Sequence, residues 1–225
     1  MDRPGLHELI ITPAPLGSAE DDFALSRALL DRVASGELGS ALRIWKPVPA
    51  LALTRLDARR PGADAAAAAA AAAGLPTVQR LSGGHAVVLG PGALSLGLAE
   101  PAATFEGTGE RYARVGDAIV EALATFGVHA EQGGLDGEWC PGAWSIRSGG
   151  VKLAGLAQRV VKGGAWIEAV IELAPDPLAR RVLPEVYAAL DLPLDLRTFG
   201  SLAELAPEPI AFEDLAARLT ERLTP

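Results

Sequence analysis

Apolar residues recur every three or four positions in several stretches of the chain, and this spacing predicts amphipathic helices. The first helix is expected from Ser18 to Ala34, because Ser18 can cap it and acidic residues follow in its first turn. The alanine run 65–73, which Gly74 ends, and the periodic segment 108–126 predict the next two helices. From about residue 176 onward the chain again favours helix, at about 177–190, 201–205 and 212–223.

Short apolar runs bounded by glycine and proline predict strands joined as hairpins. We expect 41–45 and 50–56 to form a hairpin or close pair, and 86–89 with 93–98 and 143–146 with 151–153 to form hairpins. Residues 165–173 predict one further buried strand. Together these elements predict an α+β fold with a mixed, largely antiparallel sheet flanked by helices. We expect residues 1–225 to form a single domain, with a C-terminal helical segment at about 176–225 packed on it.

Composition excludes several classes of partner. The 225 residues are 49% apolar, and their net charge of −8 opposes binding to nucleic acid, which needs clustered Lys and Arg. The opening residues lack the pattern of a signal peptide, and no later apolar stretch is long enough to cross a bilayer. We therefore expect no membrane association and a cytoplasmic location.

Cysteine and histidine are too sparse for a structural metal site or a disulfide framework. Cys140 is the single cysteine, and the three histidines are scattered along the sequence without zinc-ligand spacing. No metal is therefore expected, and His7 and His129 are assigned no function.

The segment around Cys140 is the densest unusual stretch of the chain. It reads Glu-Trp-Cys-Pro-Gly-Ala-Trp over 138–144, and Lys152 follows twelve positions after the cysteine. A nucleophilic cysteine reacts as the thiolate, which a nearby cation favours. A hairpin between 143–146 and 151–153 would bring Lys152 back towards Cys140. The alternative is structural: lone cysteines are commonly small buried hydrophobes, and a strand lysine is commonly solvated.

A second stretch, 80–89, contains a glycine pair before an apolar strand. Gly83 and Gly84 allow main-chain N–H groups to approach a ligand, and Arg80 can hold a carboxylate or phosphate. His85 is a candidate general base at the edge of the loop. The alternative is an ordinary hairpin connection followed by a structural histidine.

Taken together, Arg-Leu-Ser-Gly-Gly at 80–84 and Val-Lys-Leu-Ala-Gly-Leu-Ala-Gln-Arg at 151–159 resemble the two signature stretches of the biotin/lipoate protein ligase family. Cys140-Pro141-Gly142 and the segment 86–96 resemble its octanoyl-relay amidotransferase branch in particular. The resemblance extends from about Trp45 to the C-terminal helices. It implies the fold of that family's catalytic domain.

The resemblance also implies an activity and a set of site residues. Cys140 is the expected nucleophile, which forms an acyl thioester, and Lys152 the partner that stabilises its thiolate. Substrate contacts are expected from the first signature at Arg80, Ser82, Gly83, Gly84, His85 and Ala86, and from the second at Gly155 and Ala157. The octanoyl or lipoyl group is the substrate, and no cofactor is expected. The donor is the glycine cleavage H protein or an acyl carrier protein, and the acceptors are lysines of lipoyl domains.

The chain departs from the family pattern at His85, where many members carry glycine or an apolar residue, and at Trp166, where several carry a histidine or a small apolar residue. Both residues are expected to border the acyl tunnel, so the acyl group preferred is less defined than the reaction. Two alternatives remain. An ATP-dependent lipoate or octanoate ligase would use Lys152 on an acyl adenylate, and a non-catalytic relative would bind the acyl group or carrier without transfer.

Overall fold

Strands and helices alternate irregularly along residues 8–224, which are the residues that the computed structural model describes. The strands are β1 Glu8–Thr12, β2 Ala41–Trp45, β3 Ala50–Leu53, β4 Thr77–Gln79, β5 Val87–Leu89, β6 Ala93–Ala102, β7 Glu131–Gln132, β8 Ile146–Ser148, β9 Val151–Val161 and β10 Gly163–Glu172. The helices are α1 Ala19–Ala34, α2 Ala63–Ala72, α3 Thr108–Ala124, α4 Pro177–Ala189, α5 Leu202–Leu205 and α6 Phe212–Leu223. Short 3₁₀ turns lie at Asp57–Arg59 and Leu196–Thr198. His7 lies outside the described residues.

The strands within 8–224 form two sheets. The large sheet has the order β1-β2-β6-β10-β9-β8-β7, and all its neighbouring strands are antiparallel except the parallel pair β1–β2. The small sheet has the order β4-β3-β5, in which β3 runs parallel to β4 and antiparallel to β5. The predicted fold class, α+β with mixed and largely antiparallel strands, is confirmed.

The first predicted strand pair is wrong, because β2 and β3 belong to different sheets. β2 pairs with β1 and β6, whereas β3 pairs with β4 and β5. Pro47 and Pro49 lack the N–H groups that a strand ladder needs. Between them, the N–H of Val48 donates to Oδ2 of Asp22 at 2.8 Å rather than to a strand. The chain therefore crosses between the sheets here instead of turning back.

The second predicted hairpin, 86–89 with 93–98, is also wrong, because its two strands belong to different sheets. β5 pairs with β3, and β6 pairs with β2 and β10. Gly92 permits this crossing, since a Cβ on it would lie 2.7 Å from the carbonyl oxygen of Ala174. That carbonyl belongs to the segment that leads from β10 into α4. The chain thus returns from the small sheet through a turn that is packed closely against its neighbour.

The third predicted hairpin is confirmed, with a shift in its bounds. β8 pairs antiparallel with β9, but it begins at Ile146, so residues 143–145 lie outside the strand. Gly149 and Gly150, both with positive φ, make the turn. β9 is longer than predicted because it pairs with β10 along most of its length.

The helices lie close to their predicted positions. The Ser18 hydroxyl accepts the N–H of Asp21 at 3.1 Å, as expected of an N-cap. α3 and α6 cover one face of the large sheet and share its main apolar cluster, whereas α1 packs against β6 and β10 in a second cluster. α2 and α4 contact each other and share a third cluster with the small sheet. No helix within the described residues is long and apolar enough to cross a membrane.

A buried ion pair fixes α1 to β2. Nη2 of Arg43 lies 2.6 Å from Oδ1 of Asp22, and the guanidinium lies 4.0 Å from the centroid of the Trp45 ring. Because Asp22 also accepts the N–H of Val48, the same carboxylate fixes the first crossing between the sheets. This crossing places the end of β2 beside the small sheet, where the site described below is formed.

Candidate active site

Cys140 lies in the segment between β7 and β8, in a conformation that residues with a side chain rarely adopt. Its φ is 42°, in the left-handed region, and 9% of its surface is exposed. Its N–H donates to the hydroxyl of Tyr187 at 2.5 Å, and its carbonyl accepts Nζ of Lys152 at 2.9 Å. Strained backbones persist where the surroundings determine them. These two contacts fix the peptide groups before and after the Cys140 Cα.

The glycine-pair stretch packs directly against the sulfur. The N–H of His85 donates to Sγ of Cys140 at 3.3 Å, and Nη1 of Arg80 lies 3.9 Å from the same atom. Gly84 has a φ of +92°, and a Cβ on it would lie 2.6 Å from Sγ. Only glycine therefore fits this position without moving the sulfur.

Lys152 is fully buried in β9 and reaches the main chain of the cysteine segment. Its Nζ donates to the carbonyls of Trp139 at 2.8 Å and Cys140 at 2.9 Å, and lies 3.5 Å from Oε1 of Glu138. Burial lowers the pKa of Lys152, and the nearby Cys140 and Glu138 charges oppose that shift. The structure thus brings Lys152 and Cys140 together through the cysteine carbonyl, while Arg80 supplies the cation that contacts the sulfur.

Arg80 is held by a buried polar network. Its Nη2 donates to Oε1 of Glu168 at 2.8 Å and to the Ser82 hydroxyl at 3.1 Å, and that hydroxyl donates to the same Glu168 oxygen. The indole N–H of Trp166 donates to Oε2 of Glu168 at 2.9 Å. Burial alone would lower the pKa of Arg80, but the charges of Glu168 and Cys140 raise it. Trp166, expected to border the tunnel, thus supports the carboxylate that orients Arg80.

The side chain of His85 points to a buried carboxylate. Its Nδ1 lies 3.1 Å from Oδ1 of Asp57, and the other oxygen of Asp57 accepts the Thr54 hydroxyl at 2.7 Å. Asp57 is fully buried, whereas 24% of the His85 side chain is exposed. The histidine therefore connects the buried site to the protein surface.

A narrow, partly open cavity lies between the two sheets beside Arg80. Its volume is about 20 Å³, room for roughly one water molecule and far below the roughly 300–1,000 Å³ of small-molecule pockets, so an acyl chain would have to widen it. Its walls come from α1, from both sheets and from Arg80, and most are apolar. They are formed by Phe23, Trp45, Ala52, Arg80, Val87, Leu89, Ser95, Glu168, Ala169 and Val170. Since Arg80 contacts both the cavity and the sulfur, a chain bound in the cavity would place its head group near Cys140.

The other predicted substrate-binding residues lie near Cys140 and Arg80, some buried in the packing and one at the surface. Ala86 is buried, and its carbonyl accepts the Tyr187 hydroxyl at 2.9 Å. Gly83 faces open space and lines a shallow surface pocket beside the loop. Gly155 packs on the Trp139 ring, where an added Cβ would lie 3.1 Å from the nearest ring atom. Ala157 is buried in β9, opposite Glu168 in the ladder with β10.

Four contacting residues were given no role from the sequence: Tyr187, Glu168, Asp57 and Glu138. Glu138 stands two positions before the cysteine and could have been found as an acidic neighbour of the motif. The other three come from α4, β10 and the 3₁₀ turn, and no local pattern marks them. Within residues 8–224, no group of three or more His, Cys, Asp or Glu side chains lies close enough together to hold a metal ion.

The chain belongs to the lipoyl protein ligase A/B catalytic domain family, whose model matches residues 18–224. Among curated proteins, it is 32% identical over 177 residues to octanoyl-[GcvH]:protein N-octanoyltransferase of Geobacillus kaustophilus, an alignment that spans 72% of this chain and 61% of that relative. It is 29% identical to the protein of the same name from Exiguobacterium sibiricum, over 96% of this chain and 84% of the relative. These matches confirm the predicted family and its transferase branch.

One further relative carries a different acyl group in its name. Lipoyl-[GcvH]:protein N-lipoyltransferase of Listeria monocytogenes is 26% identical, over 93% of this chain and 79% of the relative. The curated relatives thus include both octanoyl and lipoyl transferases.

Solved structures of lipoate ligases share the fold. A lipoate-protein ligase A bound with ATP superposes with a TM-score of 0.75 at 19% identity, over 96% of this chain and 85% of the other. A putative lipoate protein ligase from T. acidophilum gives 0.72 at 17% identity, over the same shares of the two chains. At these identities the likeness concerns the fold.

Proposed function

We propose that this protein transfers an octanoyl or lipoyl group from a carrier protein to a lysine of lipoyl domains through a thioester on Cys140. The observation that carries the proposal is the setting of the sulfur. Sγ of the single cysteine contacts a main-chain N–H and a guanidinium, and Arg80 also lines a narrow, mostly apolar cavity. Family membership and the names of the curated relatives support the same reaction.

In the first step, the Cys140 thiolate attacks the carbonyl of the acyl group on the donor. The C–S bond forms, the bond to the donor nitrogen or sulfur breaks, and the leaving group takes up a proton. Arg80 and the N–H of His85 place positive charge around the sulfur, which stabilises the thiolate and the oxyanion that develops beside it. The acyl chain enters the narrow apolar cavity between the sheets, which must widen to admit it.

Lys152 acts in this proposal by positioning Cys140. Its Nζ holds the carbonyls of Trp139 and Cys140, and with Tyr187 it maintains the left-handed backbone that aims Sγ at the glycine pair. Its positive charge, only partly balanced by Glu138, also favours the thiolate.

In the second step, the acceptor lysine attacks the thioester and leaves as an amide, while Cys140 is released. Transfer from a protein amide to another protein amide is close to neutral in free energy, and transfer from a carrier thioester is downhill, so the proposed reaction requires no nucleotide. The glycine cleavage H protein or an acyl carrier protein is the proposed donor, lipoyl domains are the proposed acceptors, and the cytoplasm is the proposed location.

Intact-protein mass spectrometry tests the proposal directly. Wild-type protein and a Cys140→Ser variant are incubated without ATP, with octanoylated H protein and separately with octanoyl carrier protein. An octanoyl adduct on the wild type alone supports the thioester route and identifies the donor. Normal acyl transfer by a Cys140→Ala variant would overturn it.

The same experiment separates the two alternatives. Adding ATP and free octanoate or lipoate, without a donor protein, would yield an acyl adenylate and acceptor modification if the protein is a ligase. Tight binding of the acyl group without any adduct or transfer would indicate a non-catalytic relative.

A further inference from the structure

The His85 ring has the geometry of an oriented base. Oδ1 of Asp57 lies 3.1 Å from Nδ1, and Asp57 is itself fixed by the Thr54 hydroxyl and by Arg60, whose Nε lies 3.5 Å from Oδ1. A carboxylate at Nδ1 favours the tautomer with the proton on that nitrogen. Nε2 is then the nitrogen with a free lone pair, available to accept a proton from a ligand.

The ring stands between the reacting centre and the protein surface. The main-chain N–H of the same residue contacts Sγ of Cys140, so the ring is attached to a residue that borders the reacting sulfur, while its Nδ1 faces Asp57. About a quarter of that side chain is exposed, whereas Cys140 is buried. A lysine that enters from outside can therefore meet His85 as it approaches the thioester.

The second step needs such a base. A lysine amine has a pKa of about 10.4, so at neutral pH nearly all of it is protonated and unable to attack a thioester. The other charged or titratable groups around Cys140 are already engaged. Lys152 is bound to two main-chain carbonyls, and Arg80 is a permanent cation paired with a carboxylate. The Tyr187 hydroxyl donates to a main-chain carbonyl, and burial raises its pKa.

We infer that His85, oriented by Asp57, accepts the proton of the acceptor lysine during the second step; this inference rests on the thioester function proposed above. The acceptor ammonium group first loses one proton to water, and Nε2 takes the second proton from the attacking nitrogen as the C–N bond forms. The C–S bond then breaks, and Cys140 leaves as the thiolate. The imidazolium passes its proton to the sulfur or to water, which returns both residues to their starting states. His85 is thus a catalytic residue of deacylation, and Asp57 is its positioning residue.

A single-turnover experiment measures the two steps separately. The octanoyl-enzyme is prepared from octanoyl donor, freed of the donor and mixed with a lipoyl domain, and the loss of the adduct is followed by intact mass. In His85→Gln, deacylation by the lipoyl domain at pH 7 should fall by about 10²- to 10⁴-fold, the usual contribution of general acid–base catalysis. Thioester formation should change far less, because the main-chain N–H that contacts the sulfur remains. The same substitution at the exposed His129 is the matched control and should leave both steps unchanged.

The pH profile distinguishes a base from a merely structural residue. Deacylation by His85→Gln should rise tenfold per pH unit towards the pKa of the acceptor lysine, and its profile should differ in shape from that of the wild type. Imidazole added to His85→Ala should restore part of the rate. Asp57→Asn should lower the deacylation rate and alter its profile, and Asp57→Glu should recover more activity than Asp57→Asn.

Each outcome decides the inference. Wild-type deacylation by His85→Gln would overturn it while leaving the thioester route intact. Equal losses in both steps, without rescue by imidazole, would also overturn it, because His85 would then serve Cys140 or the fold. Absence of a thioester on the wild-type enzyme would instead show that the proposed function itself had failed.

Discussion

Replacing Gly84 with alanine should abolish most acylation at a modest cost in stability. An alanine with a φ near +92° is strained, and a left-handed residue with a Cβ costs about 1–2 kcal/mol. Its Cβ would also lie 2.6 Å from Sγ of Cys140, although ordinary contacts lie at 3.4–4 Å, so the sulfur or the loop must move by about 1 Å. A displacement of that size at a reacting atom costs about 10²-fold in rate.

Gly74 provides a matched control for this substitution. Its φ is +80°, and a Cβ built there meets nothing within 4 Å, so Gly74→Ala carries the backbone strain without the contact at the sulfur. Both variants should lose about 1–2 kcal/mol in the free energy of unfolding, measured by chemical denaturation. Only Gly84→Ala should lose thioester formation, measured by intact mass. Acylation of Gly84→Ala at the wild-type rate, or an equal loss in Gly74→Ala, would refute the reasoning.

Three further substitutions test other parts of the site. Lys152→Met should lower the free energy of unfolding by about 3–5 kcal/mol in chemical denaturation, because it leaves Glu138 buried without its cation. Adding Glu138→Gln to Lys152→Met should recover part of the loss. Additive effects of the two substitutions would contradict this reasoning. Tyr187→Phe should lower the free energy of unfolding by about 1–3 kcal/mol and slow thioester formation, since it removes the acceptor of the Cys140 N–H. An unchanged melting temperature and acylation rate would argue against a role of Tyr187 in positioning Cys140. Burial first, and then a neighbouring carboxylate, raise the pKa of Glu172 to about 8, so the folded state holds its proton more tightly than the unfolded state. Stability relative to Glu172→Gln should therefore fall as pH rises from 5 to 8, by up to about 1.4 kcal/mol per pH unit, and parallel curves of melting temperature against pH would contradict it.

The helices could be predicted from the sequence because their signals are local. Ser18 caps α1 through a residue three positions away, and Gly74 follows α2 within the same turn of chain. Seven of the ten strands within 8–224 could be predicted at or near their positions, because buried strands are apolar wherever they pair. β1, β4 and β7 were not predicted, and each of them is only partly buried. Their partners could not be predicted in this way. A Pro or Gly turn looks the same whether the chain folds back on one sheet or crosses to another, and both Pro47–Pro49 and Gly90–Gly92 cross.

The same difference between local and long-range signals decides which site residues could be predicted. Cys140, Arg80 and the glycine pair could be singled out because each stands in a compact motif with its own chemistry. Tyr187 and Glu168 could not, because they reach the site from 47 and 88 residues away in the chain, through contacts that only the packed fold creates. That Lys152 binds main-chain carbonyls while Arg80 contacts the sulfur likewise depends on side-chain directions, which the spacing of residues in the sequence does not reveal.

The two crossings between the sheets have a consequence for how the site is assembled. β2 and β6 are neighbours in the large sheet, with Trp45 opposite Ser95. The segment 46–94 between them is therefore an excursion, because it leaves the large sheet and returns to it at almost the same point. That excursion carries Arg80, Gly84 and His85, while the framework carries Cys140 and its supports. The groups that contact the sulfur from this side can therefore be changed by substitutions within one contiguous stretch of chain, without altering the pairing of the large sheet.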